Sequence, residues 1–209
     1  MKLCSLVAFA IVSVAEATFA QYAVELDLTF QKAYLLYNGR AVMESPICSG
    51  RPGHATPTGS FRITDKDVSH VSSIYGRIVD RSGRTVVADA DVDMPTPAGT
   101  RFLNAPMHYF MQFAPGIGLH AGYLPGYPAS HGCVRMPEEY ATAFFHAVSV
   151  GAPVTVFGSA PRERQYQASN RYDRRYYQDQ RYYDRYYNNP RFYYRGRVVV
   201  PPPPGFWPF

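Results

Sequence analysis

Apolar and polar residues alternate with period two in Val24-Glu25-Leu26-Asp27-Leu28, the pattern of a strand with one buried face. A second apolar run, Ala33-Tyr34-Leu35-Leu36-Tyr37, leads into Asn38-Gly39 and then Ala41-Val42-Met43. Asn-Gly between apolar runs is the strongest short signal for a hairpin. Strands are also expected at 59–64, 77–79, 85–88, 110–113, 117–120 and 153–157. One segment changes period. Over 137–148, Tyr140, Phe144, Phe145 and Val148 fall on one helical face, Pro137 suits the first turn, and Glu138 and Glu139 suit the positive end of the dipole. The polar stretches 64–73 and 89–100 read as loops. The pattern is that of a mainly β domain, a sandwich or barrel, with one short helix.

The two ends follow different rules. Residues 1–20 carry Lys2, an apolar run from Leu3 to Val14, and small residues at Ala15, Ala17 and Ala20, which together read as a secretory signal peptide cleaved after Ala17 or, better, Ala20. The run is too short to span a bilayer. Cys4 would leave with it. At the other end, 161–209 holds ten Arg and ten Tyr against four acidic residues, with a degenerate repeat of ten residues around Arg171 and Arg181 and a Pro-rich finish. Almost no aliphatic residue precedes Val198, so this tail is expected to be disordered. The net charge of +5 belongs to the tail, since 21–160 is close to neutral. That middle stretch is long enough for one domain with a single core.

Export changes how the Arg/Tyr tail is read. Interleaved Arg and aromatics suit nucleic acid in general, but an exported chain meets other partners: acidic envelope polymers, an anionic membrane surface, or an outer-membrane protein.

Candidate chemistry concentrates between Gly118 and Met136. Cys133 follows His131 and Gly132, and His120 lies eleven positions before His131 across a loop of Gly, Pro and Tyr that can fold back. A thiol with a reference pKa of about 8.5 needs a neighbouring base to become a nucleophile, and an imidazole is the usual one. Gly132 would let a substrate carbonyl approach backbone N–H groups from His131 to Cys133, an oxyanion site in which each donor contributes about 3 kcal/mol. Residue chemistry alone leaves two other readings open. Cys133 would be half of a disulfide, or His120, His131 and Cys133 would hold zinc, although no Cys-x-x-Cys or His-x-x-x-His spacing supports a metal. Asp89, Asp91 and Asp93 alternate but lack the Gly and distal Glu of a calcium loop, which favours a solvated acidic segment.

Ser130-His131-Gly132-Cys133-Val134-Arg135, with Gly118-Leu119-His120 upstream, resembles the active-site signature of YkuD-type L,D-transpeptidase catalytic domains. Three further blocks resemble that family in the same order. They are Ala55-Thr56-Pro57-Thr58-Gly59-Ser60-Phe61, the apolar lead-in Ala105-Pro106-Met107-His108-Tyr109-Phe110-Met111, and the closing strand Gly151-Ala152-Pro153-Val154-Thr155-Val156. The resemblance covers about Val24 to Gly158. It implies a YkuD-like β fold acting on peptidoglycan stem peptides in the periplasm or cell wall, without metal or organic cofactor. It further implies Cys133 as nucleophile, His120 as base, His131 in loop shape and substrate binding, Ser130 holding the loop, and Gly132 with Cys133 as oxyanion site. A hydrolytic outcome (L,D-carboxypeptidase or endopeptidase) and a non-enzymatic envelope anchor are the other functions compatible with it. The chain departs from many members in the short His120–Ser130 spacing and in Ala121, where several have Ser or Gly.

Arg135 is expected to hold the nucleophile loop or to pair with a substrate carboxylate. Tyr109 and Tyr123 are candidates to line the substrate groove. Cys48, the second cysteine of the exported chain, is read as an unreactive buried thiol, with a reversible bridge to Cys133 as the sharper idea. His54, His70, His108 and His146 are read as surface or capping residues.

Overall fold

The structure, a computed structural model, describes residues 21–161. Residues 1–20, expected to be a signal peptide, and the basic tail beyond Pro161 lie outside the described residues.

Twelve strands and one helix follow in chain order: β1 (Tyr22–Asp27), β2 (Lys32–Tyr37), β3 (Arg40–Pro46), β4 (Gly59–Arg62), β5 (Asp65–Asp67), β6 (Val71–Asp80), β7 (Thr85–Asp91), β8 (Thr100–Pro106), β9 (Phe110–Ala114), β10 (Ile117–Ala121), β11 (Val134–Met136), α1 (Glu138–Ala147) and β12 (Pro153–Phe157). They form a five-stranded sheet in the order β3-β2-β1-β12-β4, a four-stranded sheet β11-β10-β9-β5, and a three-stranded sheet β7-β6-β8.

The first hairpin forms where Asn38-Gly39 requires it. Both residues have positive φ, 49° and 74°, which a two-residue turn between twisted strands demands. The alternating residues Val24 and Leu26 then face inward beside Ala33 and Leu35, all essentially buried. β12 inserts parallel to β1 and closes the sheet against β4, so the chain's last described strand is central rather than peripheral.

The core lies between this sheet and the four-stranded one. Met111, Leu119, Val134 and Met136 are each 0 % exposed and join Leu26, Leu35, Val154 and the helix residues Ala141 and Phe144 in one cluster. Because strand residues alternate sides, the intervening Gln112, His120 and Arg135 leave the core on the opposite face. Core packing on one side therefore dictates what the other side presents. The helix is held at its carboxyl end by Lys66, whose Nζ donates to the Phe145 and Val148 carbonyls at 2.5 and 2.6 Å.

Several elements differ from the sequence expectation. Short β5 and β11 were not expected, and neither was β8, which arises partly from a stretch read as polar loop. β6 begins at Val71, inside another such stretch. All three unexpected strands are short or mixed in polarity, so only pairing across the fold makes them strands. Pro137 is the N-cap of α1 (φ −55°, ψ 146°) rather than a helical residue, and it supplies no side-chain cap.

Candidate active site

The cleft opens on the side of the four-stranded sheet away from the helix, with the three-stranded sheet as its opposite wall. It is a cavity of about 290 Å3. One wall contributes Phe110, Gln112, His120, Cys133 and Arg135, and the other Ser72, Ile74 and Tyr75. Ser130, His131 and Tyr123 also line it.

β10 and β11 run parallel, with His120 in register with Arg135. Cys133 stands two residues before Arg135, at the entrance to β11. The structure thus brings the sulfur, the first imidazole and the guanidinium to one face. His120 is 6 % exposed, and its Nδ1 lies 2.8 Å from the Ala121 carbonyl oxygen. A carbonyl only accepts, so Nδ1 carries the proton and Nε2 keeps its lone pair. Ala121 therefore orients the ring through its backbone, and no hydroxyl is needed at that position. Burial lowers the His120 pKa to about 3, with the charges of Arg135, His70 and His108 acting in the same direction against the Ala121 hydrogen bond.

Cys133 is a free thiol. Burial pushes its pKa up, opposed by a backbone hydrogen bond from Gly118 and by the Arg135 charge. The thiol and the imidazole, which share the cleft, are thus both neutral at rest, and the Cys133 thiol donates to the Gly116 carbonyl at 3.6 Å. Glycine is required at 118: an added Cβ would lie 2.6 Å from the Met111 carbonyl oxygen.

The loop before the sulfur is tied by Ser130. Its hydroxyl donates to the Cys133 carbonyl and accepts the Gly132 N–H at 3.1 Å. The Gly132 carbonyl in turn accepts from Thr56 Oγ1 at 2.8 Å. Gly132 has φ +115°, a conformation that favours glycine. Its place in the signature thus has a backbone reason, and its N–H, expected to serve an oxyanion, is already engaged.

His131 is held by residues distant from it in the chain. Arg51 Nη2 lies 2.7 Å from His131 Nε2, and because guanidinium only donates, the neutral ring carries its proton on Nδ1. Arg51 Nη1 reaches Asp89 Oδ2 at 2.5 Å, and Asp89 Oδ1 is 3.6 Å from the imidazole. Tyr75 stacks on the ring at 4.0 Å between centroids and His54 meets it edge-on at 4.9 Å. Burial lowers the His131 pKa although Asp89 opposes this. Burial would raise the Asp89 carboxyl, but the Arg51 hydrogen bond and the nearby charges hold it below its usual value.

Sequence reasoning missed Arg51, Asp89 and Tyr75 as neighbours of His131. They are far apart in the chain, and the only signal was the unexplained acidic alternation at Asp89. Tyr109, expected in the groove, does not line it. It is 4 % exposed in the core, its ring 5.7 Å from that of Phe145, because φ +55° turns it away from the strand it precedes. Arg135 supports the loop only through its backbone, which exchanges hydrogen bonds with Cys48 at 2.9 and 3.0 Å. Cys48 is buried, a free thiol whose Sγ donates to the Tyr127 carbonyl and accepts the Ala129 N–H, both at 3.3 Å. It buttresses the loop between the two signature histidines. His70 stacks on Phe110 at the cleft rather than serving as a bare surface residue. Among the described residues, no three His, Cys, Asp or Glu side chains converge as a metal-ligand set.

The model of the YkuD L,D-transpeptidase catalytic domain matches residues 21–156. The chain belongs to this family. The match contains every residue of the cleft wall described above, including both histidines and Cys133. Relatives include L,D-transpeptidase 1 of Mycobacterium tuberculosis, 29 % identical over 128 residues, covering 58 % of this chain and 44 % of the relative. The probable L,D-transpeptidase 3 of the same organism is 31 % identical over 114 residues, covering 53 % and 37 %. The chain thus spans less than half the length of these curated relatives. An L,D-transpeptidase from Mycobacterium smegmatis shares the fold at a TM-score of 0.52, 20 % identity and coverage of 66 % of this chain and 59 % of that one. A second, from Stackebrandtia nassauensis, gives 0.50, 22 %, 73 % and 62 %.

Proposed function

We propose that the chain is an exported L,D-transpeptidase that joins peptidoglycan stem peptides, or a stem to a protein amine, through a thioester on Cys133. The observation that carries this reading is the arrangement of one free thiol, one imidazole with an available Nε2 lone pair, and one guanidinium on a single face of the β10–β11 pair, within a family of L,D-transpeptidase catalytic domains.

His120 Nε2 takes the proton from Cys133 Sγ as the sulfur attacks the carbonyl carbon of the residue before a terminal D-alanine. The oxyanion forms beside the Cys133 N–H, which has no partner among the described residues, whereas the Gly132 N–H is held by Ser130. As the C–N bond breaks, His120 returns the proton to the departing nitrogen and D-alanine leaves. An incoming amine then loses a proton to the same Nε2, attacks the thioester, and the sulfur is restored to a thiol. A ring with a pKa lowered to about 3 remains a neutral acceptor at every physiological pH. His131, fixed by Arg51 and Tyr75, shapes the cleft wall and contacts substrate from there.

Incubating the purified protein with disaccharide-tetrapeptide and analysing products by mass spectrometry tests the reading. A cross-linked dimer is expected. Tripeptide alone would mean that water resolves the thioester, and unchanged substrate would leave the fold as a peptidoglycan-binding anchor.

A further inference from the structure

A thioester resolved by an amine leaves one proton to be disposed of. With an alkyl-amine pKa of about 10.4, roughly one acceptor molecule in a thousand is neutral at about pH 7.4, so the acceptor arrives as an ammonium. Its nitrogen carries three hydrogens, of which the product amide keeps one. A second returns to Cys133 Sγ through His120. The third leaves as a free proton, and it must go before attack, because an ammonium has no lone pair. His120 has a single Nε2 lone pair, committed to the sulfur, and the ring is buried away from bulk water.

Among the described residues, two other imidazoles line the cavity. His131 has its Nε2 engaged by Arg51. His70 stands in the loop between β5 and β6, where its carbonyl accepts the Met107 N–H at 2.8 Å and the Val68 carbonyl accepts the Tyr109 N–H at 3.0 Å. The His70 ring lies nearly parallel to Phe110, 4.2 Å between centroids at 14°, and Phe110 is in turn 6.4 Å from the ring of His120. The two imidazoles thus share one aromatic neighbour. Nδ1 of His70 is 3.5 Å from Asp67 Oδ2, and Asp67 is itself steadied by the Ser69 N–H on Oδ1 at 2.9 Å. A carboxylate only accepts, so the neutral ring keeps its proton on Nδ1 and offers the Nε2 lone pair to the cavity. The side chain is 36 % exposed, which connects it to solvent.

We propose that His70, backed by Asp67, takes the first proton from the acceptor ammonium and passes it to solvent. The assignment rests on the transpeptidase reading and deepens it, since it gives the acceptor its own end of the cleft. The acquired proton sits on a ring between a carboxylate and an aromatic face, both of which attract a cation. The other titratable groups at this corner are His108, which the Asp67 charge also reaches, and His120, which the charges of His70 and His108 reach. A proton on His70 opposes one on His120, so it passes to water before the amine attacks. His70 is then a catalytic residue of the second half-reaction, and Asp67 a positioning residue.

The test charges Cys133 of the full-length protein with a tetrapeptide donor and follows how two nucleophiles resolve the acyl-enzyme. One is an acceptor stem bearing an alkyl amine, an ammonium at neutral pH; the other is hydroxylamine, which is neutral there. In His70→Gln the rate with the stem should fall about 100-fold, as for the loss of a general base, and the rate with hydroxylamine by no more than about a few-fold. Raising the pH toward the amine's own range should bring the variant back to the wild-type rate with the stem. Asp67→Asn should show the same pattern at smaller amplitude. Equal losses with both nucleophiles would mean that His70 only shapes the cleft, which overturns the proposal, as does a deficit that pH leaves unchanged or a variant that matches the wild type. If the tetrapeptide gives no acyl-enzyme, the transpeptidase reading fails by itself. Charging Cys133 by exchange with a peptide thioester then supplies the same intermediate, and the two nucleophiles still decide the role of His70.

Discussion

The two walls of the cleft are built on different principles. The four-stranded sheet is packed by helix α1 and the five-stranded sheet on one face, and its cleft face carries Cys133, His120 and Arg135. The three-stranded sheet β7-β6-β8 has no such backing. Ile78, Val79 and Ala90 are buried within it, yet none belongs to the main core, and Ile74, Val86 and Val92 are at least half exposed. Its tie to the rim of the cleft that carries His131 runs through Arg51–Asp89 and Tyr75 on His131. On the proposed reading, the reacting groups are placed on the part of the molecule that core packing makes rigid, and the wall proposed to admit a peptide is the part with the fewest apolar constraints.

The largest expected break between the walls is chemical. Cys133→Ala should abolish the thioester adduct and lower turnover by more than about 1,000-fold, since no other described thiol faces the cleft. Mass spectrometry of the protein after donor addition reads it directly, and a surviving adduct would move the nucleophile elsewhere.

Stability should divide the walls next. Leu119→Ala removes a fully buried side chain behind His120 and is expected to cost about 2–5 kcal/mol. Val86→Ala, on the exposed sheet, should stay within about 0.5 kcal/mol. Denaturant midpoints of the two variants measure the contrast, and equal losses would mean that the outer sheet shares the core's cooperativity.

Acid should act mainly through the backed wall. Folded His120 stays neutral down to about pH 3, whereas the unfolded imidazole binds its proton near 6.5. Between these values the unfolded chain holds the extra proton. This contribution to stability is complete above about pH 6.5 and is lost as the pH falls toward 3, with a slope of about 1.4 kcal/mol per pH unit. A series of unfolding curves should show the slope, and His120→Gln should flatten it.

The smallest effect is expected at the tie. Asp89→Asn leaves a half-exposed pair, so stability should change by less than about 1 kcal/mol. The steady-state kcat/KM should nonetheless fall several-fold as Arg51 and His131 lose their shared acid. A stability loss matching Leu119→Ala would show that this contact is structural rather than a tether of the outer wall.

Much of the core that backs the cleft was legible from local pattern. The period-two alternation around Val24, the Asn38-Gly39 turn and the apolar face of 137–148 each depend on neighbours within a few residues, and all three fold as read. The Ser130–Arg135 block identified the family because its spacing is local too. The same local reading misplaced Tyr109, whose left-handed backbone nothing in the neighbouring residues announced. It also gave Gly132 an N–H to offer that Ser130 already uses.

Residue identity by itself determined which groups are capable of the chemistry: one thiol, two imidazoles and a guanidinium in a short glycine-rich segment, together with the hydrophobic rhythm that makes strands around them. Tertiary structure alone decided what each of them is free to do. Parallel pairing set His120 beside Arg135, Ala121 fixed the proton on Nδ1, and Arg51, eighty positions from His131, engaged that second imidazole. The difference arises because periodicity and turn propensity act over a few residues, whereas burial and hydrogen-bond partners depend on what long-range packing brings next to each side chain.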